Sequence, residues 1–192
     1  ITNADLVIGK AAITVTGNSL STVYNGQDQT VGGFTVSGLL GSDQVSDLSG
    51  INAGGATARN VGSFANTVSV VDQTNYNVSG VAGALNIAKA NASVSGTVTN
   101  LTYNGLTQQQ NTATRIGFFA NDAITITGEA SAKNAGTYTS ALTVSGNDAT
   151  NYNISISNAD LVIGKASATV TANSGVVTYN AQTQSINGFT AS

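Results

Sequence analysis

The chain has 192 residues, no Cys, His, Trp, Met or Pro, only 8% charged residues and a net charge of −3. That composition excludes a disulfide framework, withholds the usual side chains of acid–base and thiol catalysis, and offers no basic cluster for nucleic acid. No run of about 18 apolar residues exists, so no transmembrane helix is expected.

Val, Ile and Thr suit a pleated, half-buried surface, which argues for ordered strands rather than a disordered polar chain. Residues 1–10, ITNADLVIGK, read as the closing strand of a repeat that precedes them. Ile13–Thr16 alternates apolar and polar residues with period two, as a half-buried strand does. Tyr24-Asn25-Gly26, Gly32-Gly33, Gly41-Ser42-Asp43 and Gly54-Gly55 supply turns, and Thr67–Val70 is the next alternating strand. Beyond residue 90 the order returns: Val94–Val98, Asn104-Gly105, Ala123–Thr127 and Leu142–Ser145. Both Asn-Gly pairs are expected in two-residue hairpin turns at positive φ. No segment keeps a helical period over ten residues, so the fold class is all-β.

Self-similarity is the strongest signal. NADLVIGK at Asn3–Lys10 returns unchanged at Asn158–Lys165, with a weaker echo, ALNIAKA, around Lys89. Lys10, Lys89 and Lys165 are 79 and 76 residues apart, and Tyr24, Tyr103 and Tyr179 keep the same two spacings. Asn60–Phe64 matches Asn134–Tyr138, Asp72–Val78 matches Asp148–Ile154, and Leu39-Leu40 with Asp43 matches Phe118-Phe119 with Asp122. The expected organisation is therefore 1–10 as the last strand of a preceding repeat, 11–89 as a first repeat, 90–165 as a second, and 166–192 as the opening strands of a third. Residues 1–37 also align without a gap on 156–192 with 23 identities, which suggests a two-repeat unit of 155 residues. A period near 77 is too long for the rungs of a β-solenoid.

The recurring aromatics, Tyr24/Tyr103/Tyr179, Phe64/Tyr138, Tyr76/Tyr152 and Phe34/Phe189, are read as core anchors of a β-sandwich rather than as sugar-stacking platforms. A repeat of this size buries only about 60–65% of its unfolded surface, so it gains from packing on its neighbours.

Each copy runs through an alternating strand, Tyr-Asn-Gly, a Leu-Leu or Phe-Phe pair with Asp, Asn-x-Gly-x-Phe/Tyr, Asn-Tyr-x-Val/Ile and Leu-x-Ile-x-Lys-Ala. In the first copy these are Ile13–Thr16, Tyr24–Gly26, Gly38-Leu39 with Asp43, Asn60–Phe64, Asn75–Val78 and Leu85–Ala90; in the second, Val94–Val98, Tyr103–Gly105, Phe118-Phe119 with Asp122, Asn134–Tyr138, Asn151–Ile154 and Leu161–Ala166. That order resembles the MBG and YDG repeats, the former abbreviating mostly β, glycine-rich. The resemblance implies tandem Ig-like β-sandwich repeats arranged end to end in large secreted bacterial adhesins, often filamentous-haemagglutinin-like. It brings no catalytic, metal or cofactor residues. The sequence departs from the pattern at Asn180-Ala181, where Asn-Gly is expected, and at Phe118.

Chemical sites find little support. A Ser–Lys pair built on Lys10, Lys89 or Lys165 conflicts with their recurrence at strand ends, which points to architecture. Calcium needs clustered carboxylates, and Asp43, Asp47, Asp72, Asp122 and Asp148 are scattered. Asp72 and Asp148 are expected to cap the turn before Asn-Tyr-Asn. Lys133 and Glu129, among many Asn, are the candidates for an isopeptide cross-link. Asn77, Asn91, Asn100 and Asn153 match a glycosylation pattern that an Asn/Ser/Thr-rich chain produces by chance.

The functional expectation is a non-catalytic stalk or fibre segment, secreted, extracellular or on the bacterial cell surface. Its partners are neighbouring repeats of the same or an identical chain, with host or matrix glycans beside them, no nucleic acid and no membrane span. Leu6 and Ile8 at one end, and Val170, Val177 and Phe189 at the other, are strand residues outside a complete repeat, read either as a window on a longer chain or as head-to-tail assembly through strand pairing. The alternative is a glycan- or ice-binding adhesion module. Thr14-Val15-Thr16 and Thr125-Ile126-Thr127 fall at different strand positions in the two copies, against a flat ice-binding face.

Overall fold

The computed structural model describes residues 4–192, which are almost wholly strand, turn and extended chain, with single 3-10 turns at Val45–Asp47 and Ala149–Asn151. The fold is all-β.

In the first repeat, Ala11–Gly17 buries every second residue, with Ile13 and Val15 at 1% and 0% exposure. It lies between Phe34–Ser37, antiparallel, and Tyr76–Val81, parallel. Past Asn18 and Ser19 the chain resumes as Leu20–Val23 in a second sheet, parallel to Gly83–Ala88, which also pairs antiparallel with Gly62–Asn66. The first and last strands of the repeat thus run side by side and parallel through both sheets. The first of these sheets, with the ribbon Asn52–Ala53/Val68–Ser69, is here the leading half; the second, with Gln29–Val31/Ala56–Ala58, is the trailing half.

The change of sheet is made at a glycine crossing. A Cβ on Gly83 would lie 2.2 Å from the Asn18 carbonyl oxygen and 2.3 Å from that of Gly17, so a side chain there requires the backbones to part. Beside it, fully buried Asn66 closes the gap between ribbons. Its Nδ2 donates to the carbonyls of Asn18 and Gly33, both at 3.0 Å, and its Oδ1 accepts from the Gly55 N–H at 2.9 Å. The second repeat uses a different amide for the same task. Buried Gln110 donates to the carbonyls of Thr97 and Ala159 and accepts from the Ala130 N–H.

The second repeat repeats the strand order: Thr114–Ile116, Ala90–Ser95 and Tyr152–Ser157 in one sheet, Thr99–Thr102, Asp160–Gly164 and Gly136–Thr139 in another. Compactness divides the chain differently from sequence periodicity. One unit comprises the residues up to Val94 with Arg115–Thr127 and Thr143–Ser157; the other comprises Ser95–Thr114, Gly128–Leu142 and Asn158–Ser192. The first unit therefore holds the whole first repeat and the leading half of the second. Its main core joins Tyr24, Val31, Leu85 and Ile87 to Ala90, Ala92 and Tyr152 without a break at residue 89. The second unit has its own cluster of Ala130, Leu161 and Ile163, flanked by Ala132 and Tyr138.

The expected turns form, but not as hairpins. Gly26 and Gly105 have φ of 75° and 82°. Leu20–Val23 and Gln29–Val31, however, pair with Gly83–Ala88 and Ala56–Ala58, not with each other. The parallel terminal strand has taken the edge that a hairpin would use, and the turn carries the chain to another ribbon. Local chemistry holds it. Asn25, Asn104 and Asn180 each accept the N–H two residues on, and Gln29, Gln108 and Gln184 each donate to the carbonyl preceding the Tyr. Ala181 keeps φ at 59° in the third copy, where the others have Gly.

Context decides the fate of the repeated octapeptide. Asp160–Gly164 is a central strand whose Leu161 and Ile163 are buried at 0% and 2% exposure. The same residues at positions 4–10 pair with no strand among the described residues, and Leu6 and Ile8 are exposed at 87% and 85%. Asn3 lies outside the described residues. At the other end Val170–Ala172 pairs antiparallel with Phe189–Ala191, while Val170, Val177 and Phe189 stay exposed.

Candidate functional site

Within the first unit, the turn Tyr24–Gly26 and the residue before Asn60 meet the leading half of the second repeat in a polar clasp on the shared core. Tyr24 and Tyr152 carry the large side chains, and each needs a partner for its buried hydroxyl. Both donate to one carboxylate: Tyr24 reaches Asp122 Oδ1 and Oδ2 at 2.9 and 2.8 Å, and Tyr152 donates to Oδ2. The Phe119 N–H in turn donates to the Tyr152 hydroxyl at 2.9 Å.

Arg59 supplies the counter-charge. Its Nη2 donates to Asp122 Oδ1, its Nη1 to Asp148 Oδ1 at 2.8 Å, and its Nε to the Gly26 carbonyl at 3.1 Å. The planar guanidinium can bridge two acids and a carbonyl at once, which a lysine ammonium cannot do with the same fork. Its Cζ also lies 5.7 Å from the centre of the Tyr24 ring. The rings of Tyr24 and Tyr152 meet edge to face at 5.4 Å, with Phe119 edge-on to Tyr24 at 5.8 Å. Asn151, buried at 3% exposure, donates to Asn60 Oδ1 at 3.1 Å and accepts the Val61 N–H at 3.0 Å.

The electrostatics follow. Burial first, then the bond to Asp122, pushes the Tyr24 phenol well above its usual range, and the same two causes push Tyr152 up to about 12. The Ala123 N–H, then Arg59, holds Asp148 below the usual carboxylate value against the opposing effect of burial. The clasp is a set of paired charges and hydrogen bonds on an apolar core, suited to holding two β elements together.

The leading half of the first repeat carries one side of the same arrangement. The Tyr76 hydroxyl donates to Asp43 Oδ2 at 2.5 Å and accepts the Leu40 N–H at 3.1 Å, as Tyr152 does with Asp122 and Phe119.

The aromatic expectation divides. Tyr24, Tyr76 and Tyr152 are buried, but Tyr103, Tyr179 and Phe189 are exposed at 38%, 87% and 67%. Tyr24 is covered by Phe119 and Tyr152. Asp148 corrects a second expectation. It stands before the 3-10 turn Ala149–Asn151 without capping it, because its carboxylate is taken by Ala123 and Arg59. Asp72 accepts the Val78 N–H at 2.8 Å, and Asp47 that of Gln44 at 2.8 Å.

Lys10, Lys89, Lys165 and Lys133 are all exposed. Glu129 accepts a long bond from Ala113 N–H at 3.5 Å. Among the described residues no three His, Cys, Asp or Glu side chains gather as a metal site, and no helix is long and apolar enough to cross a membrane. Arg59 is the residue that sequence reading missed. Its signal was a basic residue before the Asn-x-Gly landmark in both copies, Arg59 and Lys133.

Residues 13–86 match the family model of the MBG domain (YGX type), in agreement with the resemblance read from the first repeat. No curated protein and no solved structure matches the chain.

Proposed function

We propose that this MBG-type segment is a tension-carrying stalk or fibre element of a secreted bacterial surface adhesin, built from repeats stacked end to end, and that it performs no catalysis. MBG domains are structural, non-enzymatic repeat modules of extracellular adhesin-like proteins, which supports the setting.

One observation carries the mechanical reading. Ala11–Gly17 lies parallel to Tyr76–Val81 over six residue pairs, and Leu20–Val23 lies parallel to Gly83–Ala88 over four. The chain enters the repeat at Ala11 and leaves it after Ala88. Tension along the chain therefore pulls adjacent parallel strands in opposite directions along their length. Every ladder bond is then strained at once, whereas a hairpin opened from its end breaks its bonds in turn. Thr99–Thr102 and Asp160–Gly164 are parallel in the same way.

Single-molecule pulling tests this. Attachment at the two chain ends should give a higher unfolding force than attachment at exposed residues 12 and 37, which lie at the open end of the antiparallel pair Ala11–Gly17/Phe34–Ser37. Equal or lower force through the chain ends would overturn the mechanical reading.

A further inference from the structure

Among the described residues, no donor side is seated on the acceptor side of the clasp at Asp43 and Tyr76. Leu40, Asp43 and Tyr76 stand as Phe119, Asp122 and Tyr152 do, with the same two hydrogen bonds. Yet Asp43, Asp72 and Asn75 are exposed, whereas the Asp122 side chain is at 0% exposure and Asp148 and Asn151 are buried. An open cleft of about 410 Å³ lies against Leu40, Asp43 and Tyr76, with Ile8–Ala11 on its other wall.

The trailing half of the second repeat carries the complementary side. Tyr103 with Asn104-Gly105 stands where Tyr24 with Asn25-Gly26 does, and Gly105 has the same left-handed φ. Lys133, Asn134 and Ala135 stand where Arg59, Asn60 and Val61 do, and all three are exposed. The charges are complementary: exposed Asp43 on one face, a lysine on the other.

We propose that the Leu40–Asp43–Tyr76 face is the docking site for the trailing half of the second repeat of another copy of this unit. Tyr103 donates to Asp43, and Lys133 pairs with the same carboxylate. Asn75 meets the backbone at Ala135. The sequence itself selects this occupant. Residues 1–10 match 156–165, the end of a second-type repeat, so the element expected before Ala11 is a second-type trailing half. Two joints then alternate along the array, one clasped by arginine and one by lysine. The lysine joint is the weaker, because an ammonium lacks the fork that spans two acids and a carbonyl. This inference rests on the reading of the chain as a repeat segment.

The test joins residues 1–165 directly to residues 11–192, which the shared octapeptide permits, giving two consecutive units. The chain has no cysteine, so introduced pairs report geometry without background. Val61→Cys with Asn151→Cys in one unit reports the observed clasp. Ala135→Cys in the first unit with Asn75→Cys in the second reports the proposed one; both positions are exposed, so the fold survives the change. Both pairs should form disulfides on mild oxidation. Lys133→Glu in the first unit should slow the second disulfide roughly tenfold, because it sets two like charges within a few ångströms of each other, and Lys133→Arg should not slow it. Formation of the first disulfide without the second would overturn the proposal while leaving the stalk reading to the pulling experiment. A second disulfide indifferent to Lys133→Glu would overturn the charge pairing.

Discussion

The Tyr24 hydroxyl donates to both carboxylate oxygens of Asp122, at 2.9 and 2.8 Å, across 98 residues of sequence and from one repeat to the next. The two ends of that bond are not equivalent. Tyr24→Phe removes one donor and leaves Asp122 bound to Tyr152 and Arg59, which should cost about 1–1.5 kcal/mol. Asp122→Ala strips two hydroxyls and a guanidinium of their acceptor and should cost about 3–5 kcal/mol. Urea unfolding of the two variants and their double mutant should show strong non-additivity, as for any residues sharing one network.

The glycine crossing gives a sharper test of geometry. Gly83→Ala would place a methyl within 2.2 Å of a carbonyl oxygen and should destabilise the chain by about 2 kcal/mol or more. Ala at the matching position of the second repeat, Ala159, is already accommodated beside Gly96. Gly9→Ala, with nothing near its Cβ, should change the thermal midpoint little.

Asn66 has the opposite weakness. Replacing it with Leu leaves the Gly55 N–H and the carbonyls of Asn18 and Gly33 without their partner in a dry site. The expected loss is about 2–4 kcal/mol, despite the gain in apolar volume. Calorimetry of Asn66→Leu showing native or higher stability would contradict this.

Alkali should loosen the clasp. A tyrosine whose folded pKa is raised adds stability that is complete below its ordinary value, 10.0, and is lost as pH climbs through the folded value, about 12 for Tyr152. Stability measured by denaturant titration should therefore fall between pH 10 and 12, and less steeply in Tyr152→Phe. Asp148 has the reverse sign. Its depressed value adds stability above its ordinary value, 3.8, which is lost only as pH falls below it.

Much of the fold was legible because period-two alternation and Asn-Gly chemistry are local. Ile13 and Val15 announce their strand, and the Tyr-Asn-Gly turn forms in all three copies, even with Ala181 in place of Gly. The pairing was not legible. Nothing near Asn25 reveals that Leu20–Val23 will lie beside Gly83–Ala88, because a parallel partner 65 residues away leaves no local mark. The clasp was half legible. Tyr24, Asp122, Asp148 and Tyr152 stood out by recurrence, but recurrence does not say that residues from different copies meet. Arg59 was invisible because its equivalent is Lys133, a change that breaks identity while preserving charge. The octapeptide shows the limit most plainly: Leu6 and Leu161 have identical neighbours, yet one is exposed and the other has 0% exposure.

The central claim is that the cooperative unit crosses the repeat boundary, joining the trailing half of the first repeat to the leading half of the second through the shared core and the Arg59 clasp. Native-state hydrogen exchange of the intact chain in rising denaturant tests it most directly. The account predicts that amides of Gly83–Ala88 and Tyr152–Ser157 open with one free energy and one denaturant slope, and that Asp122→Ala lowers both together. Opening of residues 143–157 in a separate, cheaper step, with Gly83–Ala88 still at full protection, would contradict it.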